Sequence, residues 1–225
     1  MNGNNLENVQ SKLNSFSLSK FFYCATKRLF DIIVSFIGMI FLIPIYLFVR
    51  IAYFLTGDFH TIIYTHDRIG KNGDTFKLYK FRSMIVDADE KLKELLKNDK
   101  KLREEYSENK KLHNDPRITK VGRFIRKYSI DELPQLINIF LGDMSLIGNR
   151  PYLPREKKDM GDYFDDIVKT KPGLTGYWQI SGRNDVTFKK RLQLEKYYSN
   201  NQSFSLDVHI FFRTFKVVLF GRGAK

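Results

Sequence analysis

The strongest constraint on this chain is a run of 18 residues without one charged side chain, Ile32 to Val49. Asp31 bounds the run on one side and Arg50 on the other. The run is apolar on every face of a helix, which argues against a helix that packs one face on a core. About 17–25 apolar residues are enough to enter or cross the hydrocarbon core of a bilayer. We therefore expect part of the chain to fold in a membrane.

A proline interrupts this run. Pro44 has no N–H to donate to the carbonyl of Ile40, and its ring clashes there, so a helix is expected to kink or break. Basic residues flank the run on both sides and select no orientation across a membrane. We predict a re-entrant membrane helix over residues 27–56, broken at Pro44. A signal anchor and a kinked spanning helix are the alternatives.

The segments on either side have different characters. Residues 1–26 are mostly polar and predict a flexible tail, without the small-residue cleavage site of a secretory signal. Residues 57–225 are assigned to one catalytic domain facing the cytosol. The single cysteine, Cys24, excludes an intramolecular disulfide and a cysteine zinc cluster.

Charge narrows the class of partner. The chain carries 38 Lys and Arg against 25 Asp and Glu, a formal net charge of +13. This balance favours an anionic partner, such as nucleic acid, acidic lipid or a phosphorylated substrate. The sequence contains no nucleic-acid motif such as an RRM or a zinc finger, so no nucleic-acid partner is expected.

The domain predicts a small sheet next to helices. Strands are expected over Thr61–Gly70 and Asp74–Met84, joined at Asn72-Gly73, a strong hairpin signal. Lys80 and Arg82 emerge at the end of the second strand.

Helices are expected in the rest of the domain. Residues 87–114 hold eight acidic and eight basic residues and predict an exposed helical insertion. Helices are also expected at about 187–198 and 206–220. The last is basic and aromatic, typical of a membrane-interface helix or of a core helix with snorkelling cations.

Two adjacent carboxylates, Asp131 and Glu132, lie where a helix is expected to start. Ser129-x-x-Glu132 has the form of a capping box, and Pro134 fits a first helical turn because it lacks a backbone donor. One interpretation is structural, because a helix N-terminus favours negative charge.

Arginines around the pair favour a second interpretation. Arg117, Arg123 and Arg126 precede it and Arg150 follows it. Arginine forks bind phosphate, and a carboxylate beside phosphate can hold Mg²⁺ or attack phosphorus.

These residues occur in an order that resembles the bacterial sugar transferase family, the monotopic polyprenyl-phosphate phosphoglycosyl transferases. The resemblance runs from about Lys27 to the C-terminus and implies the short, catalytic-domain form, without the multi-span region of longer relatives. Its motifs are Lys27-Arg28-Leu29-Phe30-Asp31, the internal Pro44, Lys80-Phe81-Arg82-Ser83-Met84, the block from Asp115 to Pro151, Lys171-Pro172-Gly173-Leu174-Thr175-Gly176 and Ser181-Gly182-Arg183-Asn184.

The resemblance implies an activity and a mechanism. Family members move a sugar 1-phosphate from a UDP-sugar to undecaprenyl phosphate, the first step of capsule, O-antigen or exopolysaccharide synthesis. By motif position, Asp131 attacks the sugar-bearing phosphorus and expels UMP, and the lipid phosphate then attacks the phosphosugar-aspartate. Glu132 is associated with the Mg²⁺ cofactor, and Asp131 is the second candidate metal ligand.

Motif position also implies the other site residues. Lys80 counts with the catalytic residues. The candidate substrate ligands are Arg82, Arg117, Arg126, Arg150, Arg183 and Asn184. For Arg117 a structural ion pair with Asp115 is an equal alternative.

The implied fold is α+β: a mostly helical monotopic membrane protein with an N-terminal re-entrant helix, a small β-hairpin and interfacial amphipathic helices. The implied location is the cytoplasmic face of the bacterial inner membrane. The partners are a UDP-sugar (glucose, galactose or an N-acetylated sugar), undecaprenyl phosphate and the bilayer. A homo-oligomer is left open. The competing functions are a lipid-diphosphate phosphohydrolase and a non-enzymatic basic membrane scaffold.

One position departs from the family pattern. Relatives usually have Gly-Pro-Arg-Pro where this chain has Gly148-Asn149-Arg150-Pro151. Asn149 therefore lacks the ring that restrains φ just before Arg150, and a less restrained loop is expected.

Overall fold

The computed structural model describes residues 3–109, 112–182 and 186–219, with side chains over 18–107, 112–182 and 186–216. The helices are α1 Gly3–Leu55, α2 Ala88–Asn98, α3 Lys100–Asn109, α4 Lys120–Lys127, α5 Gln135–Leu141, α6 Lys157–Met160, α7 Phe164–Ile167, α8 Tyr177–Ile180, α9 Phe188–Asn200 and α10 Phe204–Leu219. The strands are β1 Ile63–Ile69, β2 Thr75–Phe81, β3 Ser145–Ile147 and β4 Gly173–Thr175. The mostly helical α+β architecture is as predicted.

The first helix is longer than the sequence suggested. It begins at Gly3 instead of near Lys27, so described residues of the predicted tail are helical. No proline and no glycine occurs between Asn4 and Ile37 to stop it. The helix also continues through Pro44 to Leu55, so the predicted break there is absent. The re-entrant path through a membrane stays a prediction.

Part of α1 is apolar and uncovered. Leu18–Leu55 is long and apolar enough to cross a membrane, and 11% of its most apolar window is buried by the rest of the protein. A core helix of a soluble protein would be mostly covered. The exposed apolar length therefore fits contact with lipid.

Polar contacts hold the first part of α1 on the domain. Arg28 donates to the carbonyls of Ile139 and Phe140 at the end of α5, at 2.6 and 2.8 Å. One carboxylate oxygen of buried Asp31 accepts from the main-chain N–H of Leu146 in β3 at 2.8 Å.

Asp207 on α10 provides another polar anchor for α1. Its Oδ2 accepts from Lys27 Nζ at 2.5 Å and from the Tyr23 hydroxyl at 2.8 Å. Its Oδ1 accepts from the Tyr198 hydroxyl of α9 at 2.7 Å. Asp207 thus ties α1, α9 and α10 together.

The far end of α1 is held by a second clamp. Asp58, just after the helix, makes two 2.9 Å contacts with Arg82, which follows β2. The guanidinium also stacks on Tyr53, 4.6 Å from the ring centroid. A buried apolar cluster of Val49, Tyr53, Ile62, Phe81 and Ile125 lies beneath this end. Both ends of the apolar helix therefore dock on the same domain.

The hairpin matches its prediction. β1 pairs antiparallel with β2, in a register running from Ile63 opposite Phe81 to Ile69 opposite Thr75. The turn places Asn72 and Gly73 at φ 60° and 90°, a left-handed backbone that Asn and Gly adopt at low cost.

A second, parallel pair was not predicted. β3 pairs with β4, Ser145 opposite Gly173 and Ile147 opposite Thr175. A side chain at Gly148 would place its Cβ 2.4 Å from the carbonyl oxygen of Lys171. Only glycine allows the chain after β3 to pass this close, and that chain carries Arg150.

The predicted helices of the insertion and of the C-terminus are confirmed as α2, α3, α9 and α10. Exposed aromatic side chains on α4 and α5, and the half-buried Phe211 on α10, lie beside α1. The ring centroids of Phe48 and Phe124 are 6.3 Å apart, those of Phe36 and Phe140 are 6.3 Å apart, and those of Phe30 and Phe211 are 5.7 Å apart. The uncovered apolar surface therefore extends from α1 onto the domain.

The Asp31 contact yields a stability prediction. We expect Asp31→Ala to leave the buried N–H of Leu146 and the hydroxyl of Ser145 without their acceptor, at about 1–3 kcal/mol each. Unfolding in detergent micelles measures the loss. The matched control is Asp67→Ala, which removes an exposed pair with Lys77 and should cost about 1 kcal/mol or less. An equal loss in both variants would contradict the docking role of Asp31.

The Asp58 clamp predicts a pH dependence. Hydrogen bonds from Arg82 lower the pKa of Asp58 to about 2. Its contribution to stability is therefore present above the unfolded pKa of about 4 and is lost as pH falls towards 2.

We expect the difference in melting temperature between the unmodified protein and Asp58→Asn to narrow over that pH range. The control Asp67→Asn should show a nearly constant difference. A constant difference for Asp58→Asn as well would disprove the assignment.

Candidate functional site

The adjacent carboxylates lie on a short 3-10 turn, Ile130–Glu132, between α4 and α5. Ser129 before the turn has a left-handed backbone, φ 56°, and its side chain makes no capping hydrogen bond. The predicted capping box is therefore wrong, because an N-cap residue normally has extended backbone. The helix that follows begins only at Gln135, after Pro134.

Lys80 of the hairpin reaches this turn. Its Nζ lies 2.8 Å from Oε1 of Glu132. The structure thus brings together Lys80, Asp131 and Glu132, the residues predicted to be catalytic.

Helix α4 brings a further cation to the pair. A Cβ at Gly122 would lie 1.9 Å from the main-chain oxygen of Ser83, so glycine is needed for α4 to pack against the chain leaving β2. Arg126 lies in the last turn of α4 and is exposed. Its positive charge favours the ionised form of Asp131.

Burial is the main influence on Asp131. It raises the pKa of this carboxyl to about 6, assisted by the negative charge of Glu132 and opposed by the charges of Lys80 and Arg126. A carboxylate that is both buried and ionised is poorly solvated, which favours attack on an electrophile.

The same hairpin face carries two residues that the sequence did not single out. His66 and Arg68 alternate with Tyr64, which lies opposite Lys80 in the register, so all four share a face. Arg68 donates from Nε to Nε2 of His66 and from Nη1 to the carbonyl of Pro151 at 2.9 Å.

The pKa values of His66 and Arg68 agree with the hydrogen bond between them. Burial, with the charges of Arg68 and Lys80, lowers the pKa of His66 to about 3, so its ring is neutral and can accept. Burial and the charge of Arg150 lower the pKa of Arg68 to about 9.

Arg150 follows β3 and lies on a well-anchored loop. Its main-chain N–H donates to Oε1 of Glu195 at 3.0 Å. The amide of the preceding Asn149, 2% exposed, contacts the carbonyl of Ile167 at 3.0 Å and the hydroxyls of Thr170 and Ser199 at 3.2 and 2.6 Å. These contacts replace the restraint of the missing proline, so the expected looseness of the loop is not found.

Trp178 on α8 lies close to two arginines. The guanidinium carbon of Arg191 is 4.6 Å from its ring centroid, and that of Arg150 is 5.9 Å away. Below them lies Glu195, whose burial raises its pKa to about 7.

Two candidate ligands have structural partners instead. Arg82 is held by Asp58 and by the carbonyl of Thr61 at 2.8 Å, so the assignment of Arg82 to substrate is not supported. Arg117 pairs with Asp115 at 2.5 and 2.8 Å, which favours the structural alternative left open above. Both guanidiniums are buried. Arg183 and Asn184 lie outside the described residues.

The donors that could hold a metal ion are few. Among the described residues no group of three or more His, Cys, Asp or Glu side chains converges. Two carboxylates, such as those of Asp131 and Glu132, are sufficient protein ligands for Mg²⁺, which usually takes the rest of its ligands from water and substrate phosphates.

Sequence reasoning missed His66, Arg68, Trp178 and Arg191. The hairpin register offered a signal for the first two, because an Asn-Gly turn fixes which residues of β1 face Lys80. No such signal existed for Trp178 and Arg191, which meet Arg150 only through the packing of α8 and α9.

Comparison with known proteins identifies the family of the chain. Residues 22–221 match the model of the family described as bacterial sugar transferase. The chain is 48% identical over 198 residues to an undecaprenyl-phosphate galactose phosphotransferase of Salmonella typhimurium, covering 88% of this chain and 41% of the relative. It is 41% identical over 200 residues to the exopolysaccharide production protein ExoY of Sinorhizobium fredii, covering 88% of each.

A third relative is a UDP-glucose:undecaprenyl-phosphate glucose-1-phosphate transferase of Klebsiella pneumoniae, 35% identical over 197 residues, covering 84% of this chain and 39% of the relative. The chain thus spans about two fifths of the length of several of these curated relatives. The matched region contains the carboxylate pair, Lys80 and Arg150. The chain belongs to the bacterial sugar transferase family.

Proposed function

We propose that this protein transfers a hexose 1-phosphate from a UDP-sugar to undecaprenyl phosphate and so starts the assembly of a surface polysaccharide. The observation that carries the proposal is the buried carboxylate of Asp131 within a cationic site beside an uncovered apolar helix. Two relatives are named as transferases of galactose phosphate and of glucose 1-phosphate to undecaprenyl phosphate. These names favour UDP-galactose or UDP-glucose as donor.

The proposed chemistry has two displacements at one phosphorus. A carboxylate oxygen of Asp131 bonds to the sugar-bearing phosphorus, and the bond to the bridging oxygen breaks, so UMP leaves with the electron pair. A phosphate oxygen of the lipid then bonds to the same phosphorus, and the bond to Asp131 breaks, regenerating the carboxylate. No proton has to move in either step, which is consistent with a site whose only near histidine, among the described residues, is held neutral.

The surrounding residues have distinct parts in this scheme. Lys80 holds Glu132 and favours the ionised form of Asp131. Arg126 and Arg150 are placed to bind phosphate oxygens. Asp131 and Glu132 would hold Mg²⁺, which when bound neutralises phosphate charge and assists departure of UMP.

The docking of α1 supports a monotopic arrangement with the catalytic domain on the cytoplasmic face of the inner membrane. Residues before the apolar segment (Arg28) and after it (Asp58) contact the same domain. A straight span would place these residues on opposite sides of the bilayer. Contacts with one domain before and after the apolar segment therefore favour a helix that stays on one side of the bilayer.

The function is tested by product analysis. Membranes containing the protein are incubated with undecaprenyl phosphate and a panel of UDP-sugars. We expect UMP and a lipid diphosphosugar, with UDP-galactose or UDP-glucose as the best donor. Free sugar phosphate formed without lipid would identify a hydrolase instead, and the absence of any product would favour a scaffold.

The nucleophile has its own test. We expect Asp131→Asn to lower UMP release about a thousandfold or more, because the amide cannot form the phosphosugar-aspartate. Intact-mass measurement after incubation with UDP-sugar alone should show a hexose phosphate adduct on the unmodified protein and none on the variant. Asp67→Asn, at an exposed carboxylate, serves as control and should keep both. Normal UMP release by Asp131→Asn would rule out the covalent route.

Topology is tested by cysteine labelling. Single cysteines are placed at the exposed positions Lys20 and Thr56 in a Cys24→Ser background. We expect an impermeant thiol reagent to label both from the cytoplasmic side only. Labelling from opposite sides would show a spanning helix and reject the monotopic arrangement.

A further inference from the structure

Trp178, its two neighbouring arginines and the hairpin face contain buried polar atoms without a hydrogen-bond partner among the described residues. The nitrogens concerned are His66 Nδ1, Arg150 Nε, Trp178 Nε1 and Arg191 Nε, and the oxygens are the Tyr152 hydroxyl and Glu195 Oε2. Buried polar groups are nearly always hydrogen-bonded, so a group of orphaned donors in one place needs an explanation. Three of the four nitrogens belong to cationic or donor-only side chains, which call for an acceptor.

The positive charges of Arg150 and Arg191 also indicate that an anion could bind here. Arg191 is 8% exposed, and its guanidinium has no ion pair within the described part of the chain. The nearby charges of Arg150 and Arg191 repel each other, and burial and this repulsion lower the pKa of Arg191. The buried carboxylate that could offset them, Glu195, has a pKa raised to about 7 and offsets them only in part.

The location links the region to the reaction. Arg68 donates to the carbonyl of Pro151, the residue after Arg150, at 2.9 Å. Arg68 shares a hairpin face with Lys80, which contacts Glu132 at 2.8 Å. The hairpin face therefore connects the loop that carries Arg150 with the carboxylate pair.

We propose that Arg191 and Arg150, whose guanidiniums both lie close to the ring of Trp178, form a binding site for a phosphoryl group of a substrate. Two guanidinium forks beside one aromatic ring can take the oxygens of one phosphate, and stacking on the ring restrains their orientation. Arg191 is thereby assigned as a substrate-binding residue that the motifs do not mark. The inference deepens the proposed function and rests on it for the identity of the substrates.

A phosphoryl group could come from the nucleotide or from the lipid. Trp178 is the only tryptophan of the chain, so its fluorescence reports directly on this site. The full-length protein in detergent is titrated separately with UMP, inorganic phosphate and a short-chain polyprenyl phosphate. A saturable change is expected with at least one. A response to UMP identifies the nucleotide side, and one confined to the polyprenyl phosphate identifies the lipid side.

The variants test the role of Arg191. We expect Arg191→Gln to raise the dissociation constant of the responding probe about tenfold or more, because a buried charge-assisted contact is lost. Lys189→Gln makes the same change of charge at an exposed position of the same helix and should stay within about twofold. Arg191→Lys keeps the positive charge and serves if the glutamine variant does not fold. It should still bind the probe more weakly, because an ammonium group cannot donate two parallel hydrogen bonds to a phosphate.

Several results would overturn the inference. They are no response of Trp178 to any probe, unchanged binding by the Arg191 variants, or an equal loss in Lys189→Gln. Because binding is measured without turnover, the two proposals fail separately. Binding that depends on Arg191 in a protein without transfer activity would refute the function alone. Transfer with normal binding by the Arg191 variants would refute this site alone.

Discussion

The hydrogen bonds of Arg28 and Asp31 on α1 to the rest of the domain are the interactions on which this structure depends. Arg28 occupies the carbonyl end of α5, the helix that starts just after the carboxylate pair. Asp31 holds β3, the strand that leads to Arg150. One turn of α1 therefore fixes the two elements that carry Asp131, the proposed nucleophile, and Arg150, the proposed phosphate ligand. The apolar helix and the candidate site share the same supports, so the distance between them is set by protein packing.

Electrostatics sets the character of the site. Its cations come from separate elements, β1, β2, α4, the loop after β3, and α9, and several are buried. Burial makes each uncompensated charge expensive, as the lowered pKa values of Arg68 and Arg191 show. The raised pKa values of Asp131 and Glu195 show the same cost for carboxylates. An anionic substrate would relieve the cost at the arginines, because it pairs with their charges. It would not relieve the cost at the carboxylates, since a negative charge nearby disfavours their ionised form.

Local patterns were enough to predict the hairpin, the charged helical insertion and the C-terminal helices, since each has its own periodicity or turn residues. The carboxylate pair and its lysine came from motifs of contiguous residues. What the sequence did not show depended on tertiary context. Ser129 precedes the turn with a left-handed backbone and makes no side-chain capping hydrogen bond, so the capping box is absent. The contact of the Arg82 guanidinium with Asp58 at the end of α1 also arises only from tertiary packing. Strands β3 and β4 have three residues each, which is too short to show an alternation of apolar and polar residues. Arg191 and Arg150 come close to Trp178 only through the packing of helices that are distant in sequence.

The amide of Asn149 has a consequence for the order in which the protein matures. A proline ring would restrain the chain before Arg150 from the moment of synthesis, in the unfolded as in the folded state. The amide restrains it only when its acceptors are in place, and these lie 18, 21 and 50 residues further along the chain. During translation the loop therefore stays loose until α9 has been made and has docked. The position of Arg150 is thus fixed late in synthesis, after α1 and the hairpin have been made.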